Sequence, residues 1–194
     1  LNAQDAGKYW AANAKDAIKL LRKHRYKHHE TNWIEKNILS KKILISLLII
    51  SVTFIIDRFC KIKIISQQEI NSKIFINDYI NLDLVWNTGI GFGLLNLETS
   101  LLYHLMTFFI SIIICCIFFV MIGADTLSTY MYSLIAGGAL GNVADRAIYF
   151  AVPDFIDIHI NNFHWFTFNV ADIFISVGIM ILILKELGNN KKNV

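Results

Sequence analysis

A run of 26 residues without a charged side chain, between Glu98 and Asp125, constrains the fold of this chain more than any other feature. At about 1.5 Å per helical residue, such a run is long enough to cross the hydrocarbon core of a bilayer, which is about 30 Å thick. The whole chain of 194 residues is 55% hydrophobic and 17% charged, a composition that is not typical of a soluble globule. The sequence therefore predicts an integral membrane protein.

Three further spans are expected from shorter charge-free runs. The first has only 14 uncharged residues, 43–56, so its helix must continue past Asp57. The third is expected at about residues 126–144. The fourth has 12 uncharged residues, 173–184, and must begin upstream, near Phe166. The expected fold class is thus an integral membrane all-α protein with four transmembrane helices.

A segment between the first two spans loses the helical pattern. Residues 80–87, INLDLVWN, largely alternate apolar and polar side chains, which predicts a half-buried strand. The GIGFG sequence that follows, residues 89–93, suits a tight bend. We therefore expect a small extracytoplasmic β-strand cradle that lies on the membrane surface.

Charge is unevenly distributed along the chain. Residues 1–42 carry ten Lys or Arg and four Asp or Glu, a net charge of +6, whereas the rest carry eight and eleven, a net charge of −3. Because basic segments stay in the cytoplasm, both termini are expected there, which requires an even number of spans. Residues 1–42 are expected to form a basic cytoplasmic extension, 43–188 the four-helix membrane domain and 189–194 a cytoplasmic tail. The helical spacing of apolar side chains in residues 1–30 fits either a membrane-surface anchor or a solvated tail.

Candidate functional residues concentrate between positions 137 and 172. Counted at about 1.5 Å per residue from the cytoplasmic end of each helix, Asp57, Asp145 and Asp172 all reach the outer side of the bilayer. Asp154 is expected in the outer loop, because its preceding proline disfavours helix. Ionisable side chains beside apolar spans are costly and seldom kept without a task, so a functional site is expected here.

Two carboxylates in one site repel each other, so one should hold a proton while the other stays ionised. That division suits general acid and base catalysis on a water that attacks an amide carbonyl. Asn142, Asp145 and Arg146 share one face of the third helix, and Arg146 is interpreted as a structural or substrate-orienting partner of Asp145. A buried hydrogen-bonded network without chemistry is the alternative interpretation.

Helix packing and helix ends account for other residues in the spans. Asp57 and Lys61, at i and i+4, are expected to form an ion pair at the membrane interface, where a lysine can snorkel to the headgroups. Gly137 and Gly141 predict a face to which another helix backbone approaches closely.

No metal or cofactor is expected. The cysteines, Cys60, Cys115 and Cys116, lie in apolar runs without the spacing of a metal site or a disulfide framework. His159 and His164 are interpreted as scattered, interfacial side chains, so chelators are expected to leave activity unchanged.

Five separated motifs together resemble one known family. They are DRFCK at residues 57–61, WNTGIGFG at 86–93, GGALGNVADR at 137–146, VPDFID at 152–157 and FNVAD at 168–172. In this order they resemble the lipoprotein signal peptidases, also called signal peptidase II, over residues 43–188.

The resemblance implies an aspartic endopeptidase of the bacterial inner membrane, with its active site on the periplasmic side. Such an enzyme removes the signal peptide from diacylglyceryl-modified prolipoproteins by cleaving before the lipidated cysteine. The implied catalytic dyad is Asp154 and Asp172, with Asp57 and Lys61 as helix-end supports. The implied substrate-binding residues are Asn87, Gly89, Asn142, Asp145, Arg146, Asn169 and Ala171. The expected partners are lipidated prolipoproteins and membrane lipids, not nucleic acid, and the chain is expected to be a monomer.

Two features depart from the family pattern. Trp86 stands where the family often has Arg, and the basic extension is longer than the family needs. Two functions from other classes stay open at this point, a small ion- or proton-coupled carrier and a non-catalytic membrane scaffold. The lack of an internal sequence repeat argues against a carrier.

Overall fold

The structure, a computed structural model, describes residues 41–67, 73–89, 100–161 and 163–190, together with Asp16, Lys19 and Leu39. Every contact described below lies within the compact unit Ile45–Val194. The helices and strands are α1 (Lys41–Gln67), β1 (Ile74–Asn77), β2 (Ile80–Asn87), α2 (Ser100–Gly123), α3 (Thr126–Tyr149), β3 (Val152–Ile160), β4 (Phe163–Phe168) and α4 (Val170–Asn190). The predictions for residues 1–30, of which only Asp16 and Lys19 are described, and for residues 90–93 and 191–194 fall outside the described residues.

Two of the described helices have the length and composition of membrane spans. Helix α1 has 27 residues and a mean hydropathy of 2.2, and Tyr103–Gly123 within α2 has 21 residues and a mean hydropathy of 3.0. Only 17% and 6% of their apolar windows are buried within the protein, so most of these side chains form an outer surface suited to lipid. Helix α3 begins at Thr126, as predicted. That all four helices cross a bilayer stays a prediction.

Glycine allows α3 to pack closely on two neighbours. A Cβ atom on Gly137 would lie 2.8 Å from a backbone carbonyl oxygen of α1, and one on Gly141 would lie 2.5 Å from a carboxylate oxygen of Asp57. A Cβ atom on Gly138 would lie 2.7 Å from the carbonyl oxygen of Ala171 in α4. The close helix contact predicted for Gly137 and Gly141 is confirmed, and α1 is the partner helix.

A four-stranded antiparallel sheet, in the order β1-β2-β3-β4, is larger than the expected cradle. Strand β2 confirms the strand predicted at residues 80–87. Residues 152–160 and 163–168, assigned from the sequence to an outer loop and to the start of the fourth helix, form β3 and β4 instead. The all-α class is corrected to helices with a sheet. Charge-free length alone cannot separate helix from strand in a short aromatic segment such as FHWFTF.

Both ends of α3 are fixed by local geometry. Asp125 Oδ1 accepts hydrogen bonds from the backbone N–H groups of Leu127 and Ser128 at 3.1 and 3.2 Å, so it caps the helix. At the other end, Phe150 has a φ of 56° in the left-handed region and terminates the helix. The chain therefore turns directly from α3 into β3, which places the two elements side by side at one end of the helices.

Candidate active site

Helix α4 begins with a capping box that positions one of the predicted acids. Asn169 Oδ1 accepts a hydrogen bond from the backbone N–H of Asp172 at 3.1 Å, and Asp172 Oδ2 accepts one from the backbone N–H of Asn169 at 3.2 Å. This reciprocal arrangement fits an Asn-x-x-Asp sequence at a helix start. The expected start near Phe166 is wrong, because that residue lies in β4 and the helix begins at Val170. The Asn-x-x-Asp pattern of residues 169–172 could have predicted this helix start from the sequence.

Strand β3 brings the second predicted acid to the same place. Asp154 is paired with Val85 of β2 and is only 2% exposed. Its Oδ2 accepts a hydrogen bond from Asn87 Nδ2 at 2.8 Å, and its Oδ1 accepts one from Asn169 Nδ2 at 2.6 Å. Asn169 therefore bonds to both acids at once, and its position fixes the carboxyl groups of Asp154 and Asp172 relative to each other.

The two acids line a single cavity of about 220 Å³. Asn142 Nδ2 donates a hydrogen bond to Asp172 Oδ1 at 3.0 Å across this cavity wall. The polar lining consists of Asn87, Asn142, Arg146, Asp154, Asn169, Asp172 and Ser176, and the apolar lining of Ile110, Ala139, Val152 and Ile175. The space is large enough for several water molecules beside two carboxyl groups, which is the arrangement that acid and base chemistry on a bound water requires.

The environment of Asp154 raises the pKa of its carboxyl group toward 7. Burial, followed by the nearby carboxylate of Asp172, raises the pKa of Asp154 to about 6. The hydrogen bonds from Asn87 and Asn169 act in the opposite direction, because amide donors favour the ionised form. A carboxyl group with such a pKa exchanges its proton readily near pH 7, as a general acid or base must.

Next to the cavity, four charged side chains form a buried cluster. Lys61 Nζ lies 2.7 Å from Asp57 Oδ2 and 2.6 Å from Asp145 Oδ2, and it donates a hydrogen bond to Asn142 Oδ1 at 2.7 Å. Arg58 also pairs with Asp145. Two cations and two anions make this buried ion cluster neutral overall, and the ammonium group donates hydrogen bonds to Asp57 and Asn142 while it pairs by charge with Asp145.

The buried ion cluster holds three helices together at the cavity. Asp57 Oδ1 accepts a hydrogen bond from the backbone N–H of Ala171 at 2.9 Å, so α1 caps the first turn of α4. Asn142 accepts from the cluster with one end of its amide and donates to Asp172 with the other. The predicted Asp57–Lys61 ion pair is confirmed, but both side chains are fully buried in the protein, so Lys61 does not snorkel. If Lys61 extended to the headgroups, its ammonium group would lose its contacts with Asp57, Asp145 and Asn142.

The expected partnership between Arg146 and Asp145 is also wrong. Adjacent residues point about 100° apart on a helix, so their side chains face different neighbours. Asp145 faces α1 and is fully buried outside the cavity lining. Arg146 faces the cavity, where it donates to the carbonyl oxygen of Gly89 at 2.9 Å and to that of Asn142 at 3.3 Å.

The end of β2 completes the cavity wall. Gly89 donates its backbone N–H to Asn87 Oδ1 at 2.8 Å, which leaves Asn87 Nδ2 directed at Asp154. Trp86, which departs from the motif of the resembled family, is 43% exposed and packs against the Tyr149 ring with a centroid distance of 5.3 Å. Of the residues assigned to substrate binding, Asn87, Asn142, Arg146 and Asn169 line the cavity. Gly89, Asp145 and Ala171 instead hold their neighbours in place.

The two histidines of the sheet are not scattered. The rings of His159 and His164 stack with a centroid distance of 5.3 Å, and with Asp157 they place three potential metal-ligand atoms within 4.8 Å of one another. The expectation that the chain lacks a ligand cluster is therefore wrong. It failed because the three residues meet only when β3 and β4 pair, which the sequence analysis did not predict.

Comparison with known proteins identifies the family. The family model described as "Signal peptidase (SPase) II" matches residues 49–187, a range that contains both acids and the whole cavity lining. The chain belongs to the signal peptidase II family. It is therefore a peptidase and a membrane protein, as the resemblance of its motifs implied.

The relatives of this signal peptidase II chain agree with that assignment. It is 50% identical over 144 residues to the "Lipoprotein signal peptidase" of Pelagibacter ubique (strain HTCC1062), which covers 73% of this chain and 87% of that protein. It is 38% identical over 132 residues to the protein of the same name from Thermodesulfovibrio yellowstonii, with 68% and 85% covered.

Solved structures show the same architecture. A structure described as a bacterial membrane enzyme, determined by the in meso method at 2.3 Å resolution, matches with a TM-score of 0.63 and 26% identity over 77% of this chain and 91% of that chain. A second, at 1.9 Å resolution, matches with a TM-score of 0.58 and 27% identity over 73% and 92%.

Proposed function

We propose that this peptidase is an aspartic endopeptidase that removes the signal peptide from diacylglyceryl-modified prolipoproteins, with Asp154 and Asp172 as its catalytic dyad. One observation carries the assignment of the dyad. Two carboxyl groups from different elements line one cavity, and each accepts hydrogen bonds from two donors of Asn87, Asn142 or Asn169. Substrate is cleaved on the amino-terminal side of the lipidated cysteine.

In the proposed reaction the dyad shares one proton and acts on a bound water. The ionised carboxylate takes a proton from the water as the water oxygen attacks the amide carbon, and the other carboxyl group gives its proton to the carbonyl oxygen. The tetrahedral intermediate then breaks its C–N bond. The first carboxyl group returns its proton to the leaving nitrogen, the second accepts one from a hydroxyl of the intermediate, and the dyad regains its starting state.

Arg146 is proposed to orient the substrate backbone. Its guanidinium group is fixed by the carbonyl oxygens of Gly89 and Asn142, whereas its buried Nε has no hydrogen-bond partner among the described residues. A buried N–H donor without an acceptor is costly, so a substrate carbonyl oxygen that enters the cavity gains a strong hydrogen bond. Asp145 contributes indirectly, through its ion pairs with Arg58 and Lys61.

The peptidase domain, residues 43–188, is proposed to span the bacterial inner membrane four times, with both termini in the cytoplasm and the sheet on the periplasmic side. The net charge of +6 in residues 1–42 supports this orientation. A dyad near the outer face reaches the scissile bond while the diacylglyceryl chains stay in the bilayer. Extracting them would cost about 0.8 kcal/mol for each CH2 group. The enzyme is proposed to act as a monomer in contact with membrane lipids.

Cleavage of a synthetic peptide tests the proposed dyad. Purified chain in detergent is supplied with a fluorogenic peptide that carries the cleavage sequence and a diacylglyceryl cysteine. Asp154→Asn and Asp172→Asn should each lower kcat by at least about 100-fold, because each removes one proton-transfer group. Asp83→Asn is the matched control, since Asp83 lies in the adjacent strand β2 and outside the cavity lining. Full activity in either dyad variant would overturn the assignment.

Reporter fusions test the orientation separately. A periplasm-dependent reporter fused after Gln68 or after Asn162 should be active in both cases, because both positions are proposed to lie outside. A cytoplasmic signal at either position would overturn the four-span arrangement, while the peptide assay would still judge the dyad.

A further inference from the structure

A second cluster of functional groups lies on the sheet, away from the dyad. His159 of β3 and His164 of β4 are direct partners across the strand pair, and their rings are nearly parallel, with an interplanar angle of 21°. Asp157 lies two residues before His159, and its carboxylate oxygens are 2.8 and 2.9 Å from His164 Nδ1. None of the three residues lines the cavity that contains Asp154 and Asp172.

The distances in this cluster are close to those of a metal centre. In a tetrahedral zinc site with bonds of about 2.0–2.1 Å, neighbouring ligand atoms lie about 3.3 Å apart. Here Asp157 Oδ2 is 2.8 Å from His164 Nδ1 and 3.9 Å from His159 Nδ1, and the three ligand atoms span at most 4.8 Å. Small rotations of the side chains therefore suffice to place all three around one ion.

A buried asparagine supplies an independent indication. Asn81 of β2 is 5% exposed, its Nδ2 lies 3.2 Å from both ring nitrogens of His159, and its Oδ1 accepts no hydrogen bond from any described residue. Metal-binding histidines usually donate their second ring N–H to an oxygen acceptor, which fixes the ring. Rotation of the Asn81 amide would present its unpaired Oδ1 to His159 for that purpose.

Charge also suits a cation at this position. The ammonium group of Lys73 lies 3.6 Å from Asp157 and equally far from Asp83. A bound ion would displace Lys73 from Asp157, and Asp83 would keep it as a partner.

We propose that Asp157, His159 and His164 bind one divalent transition-metal ion, with zinc as the preferred ion. Two imidazoles and one carboxylate match the ligands that zinc takes, whereas magnesium and calcium prefer oxygen ligands alone. His164 is 48% exposed, so the fourth ligand position faces solvent. The ion ties β3 to β4 and stabilises the hairpin, and the peptidase reaction proceeds without it.

Zinc titration by calorimetry tests the site on the full chain in detergent, after treatment with chelator and buffer exchange. The background carries Gln at His24, His28 and His29, because these histidines of the basic extension are competing ligands. We expect one zinc ion per chain with a micromolar or tighter dissociation constant. His159→Gln and His164→Gln should each weaken binding at least tenfold, whereas His104→Gln, in α2, should leave it unchanged.

A gain of affinity separates zinc binding from general loss of structure. Lys73→Met removes the competing cation, so it should tighten zinc binding and should not weaken it. Cobalt bound to the same chain should give the visible absorption of a four-coordinate site, and this signal should disappear in His159→Gln. Peptidase activity reports the fold of each variant. No binding by the background chain, or equal binding by His159→Gln, would overturn the proposal.

Discussion

Removing the lysine at the centre of the buried ion cluster should destabilise the protein strongly. Lys61 is fully buried, and its Nζ has three acceptors within 2.7 Å, on Asp57, Asp145 and Asn142. Lys61→Met leaves two buried carboxylates with Arg58 as their only cation in the cluster. Breaking a buried ion pair by deleting one partner costs about 3–5 kcal/mol, because the remaining charge is uncompensated. We expect a loss of unfolding free energy in this range.

The measurement is denaturant-induced unfolding in mixed micelles, followed by tryptophan fluorescence. Lys63→Met is the control, because Lys63 is an exposed lysine on the same helix, and it should unfold like the unmodified chain. The double variant Lys61→Met with Asp57→Asn restores a neutral cluster and keeps an oxygen acceptor for the N–H of Ala171. It should be more stable than Lys61→Met alone. Equal stability of Lys61→Met and Lys63→Met would refute the reasoning.

Three further predictions concern the site and the helix contacts. As pH rises, kcat/KM should decline with the pKa of Asp154, which is about 6. Asn87→Ala should move this decline to higher pH, because the loss of the hydrogen bond from Asn87 raises the pKa of Asp154. Measurement of kcat/KM across a pH series tests both expectations. Gly137→Ala should cost about 1–3 kcal/mol of stability in the same unfolding assay, whereas Gly123→Ala, with no atom within 4 Å, should cost nothing through clashes. Asp125→Ala should lower the melting temperature at pH 7, and less at pH 3. Hydrogen bonds from Lys185 and Ser128 hold the pKa of Asp125 below its usual value in the folded chain, so the cap stays ionised at pH 3, but the unfolded chain is already largely protonated there and the ionised cap stabilises the fold less.

The sequence predicted the parts of the fold that follow from local rules. Charge-free length placed α1, α2 and the start of α3, and the Gly137–Gly141 spacing located the close helix contact. Strand β2 followed from its alternation. Asp154 and Asp172, which the sequence analysis placed in an outer loop and near the start of the fourth helix, line one cavity, whereas their depth in the bilayer stays a prediction.

What the sequence did not predict depends on which elements become neighbours. Lys61 was expected to snorkel because it is a long basic side chain near a helix end, but Asp145 and Asn142 of α3 hold its ammonium group inside the protein. Arg146 was expected to partner Asp145, but Arg146 donates to the carbonyl oxygen of Gly89, and Asp145 pairs with Arg58 of α1. The cluster of Asp157, His159 and His164 depends on strand pairing, which requires the partner of β3 to be known.

In the β3–β4 hairpin, Asp154 and Asn169 lie at the open end and the two histidines lie near the tip. Ile156 pairs with Phe168, Asp154 lies two residues before this pair, and Asn169 follows it directly. A residue added between Asp154 and Ile156 would turn the acid to the opposite face of the sheet, whereas residues added at the tip, beside Asn161, leave that end of the ladder unchanged. A label or a longer loop at the tip is therefore compatible with cleavage, even if the insertion separates His159 from His164.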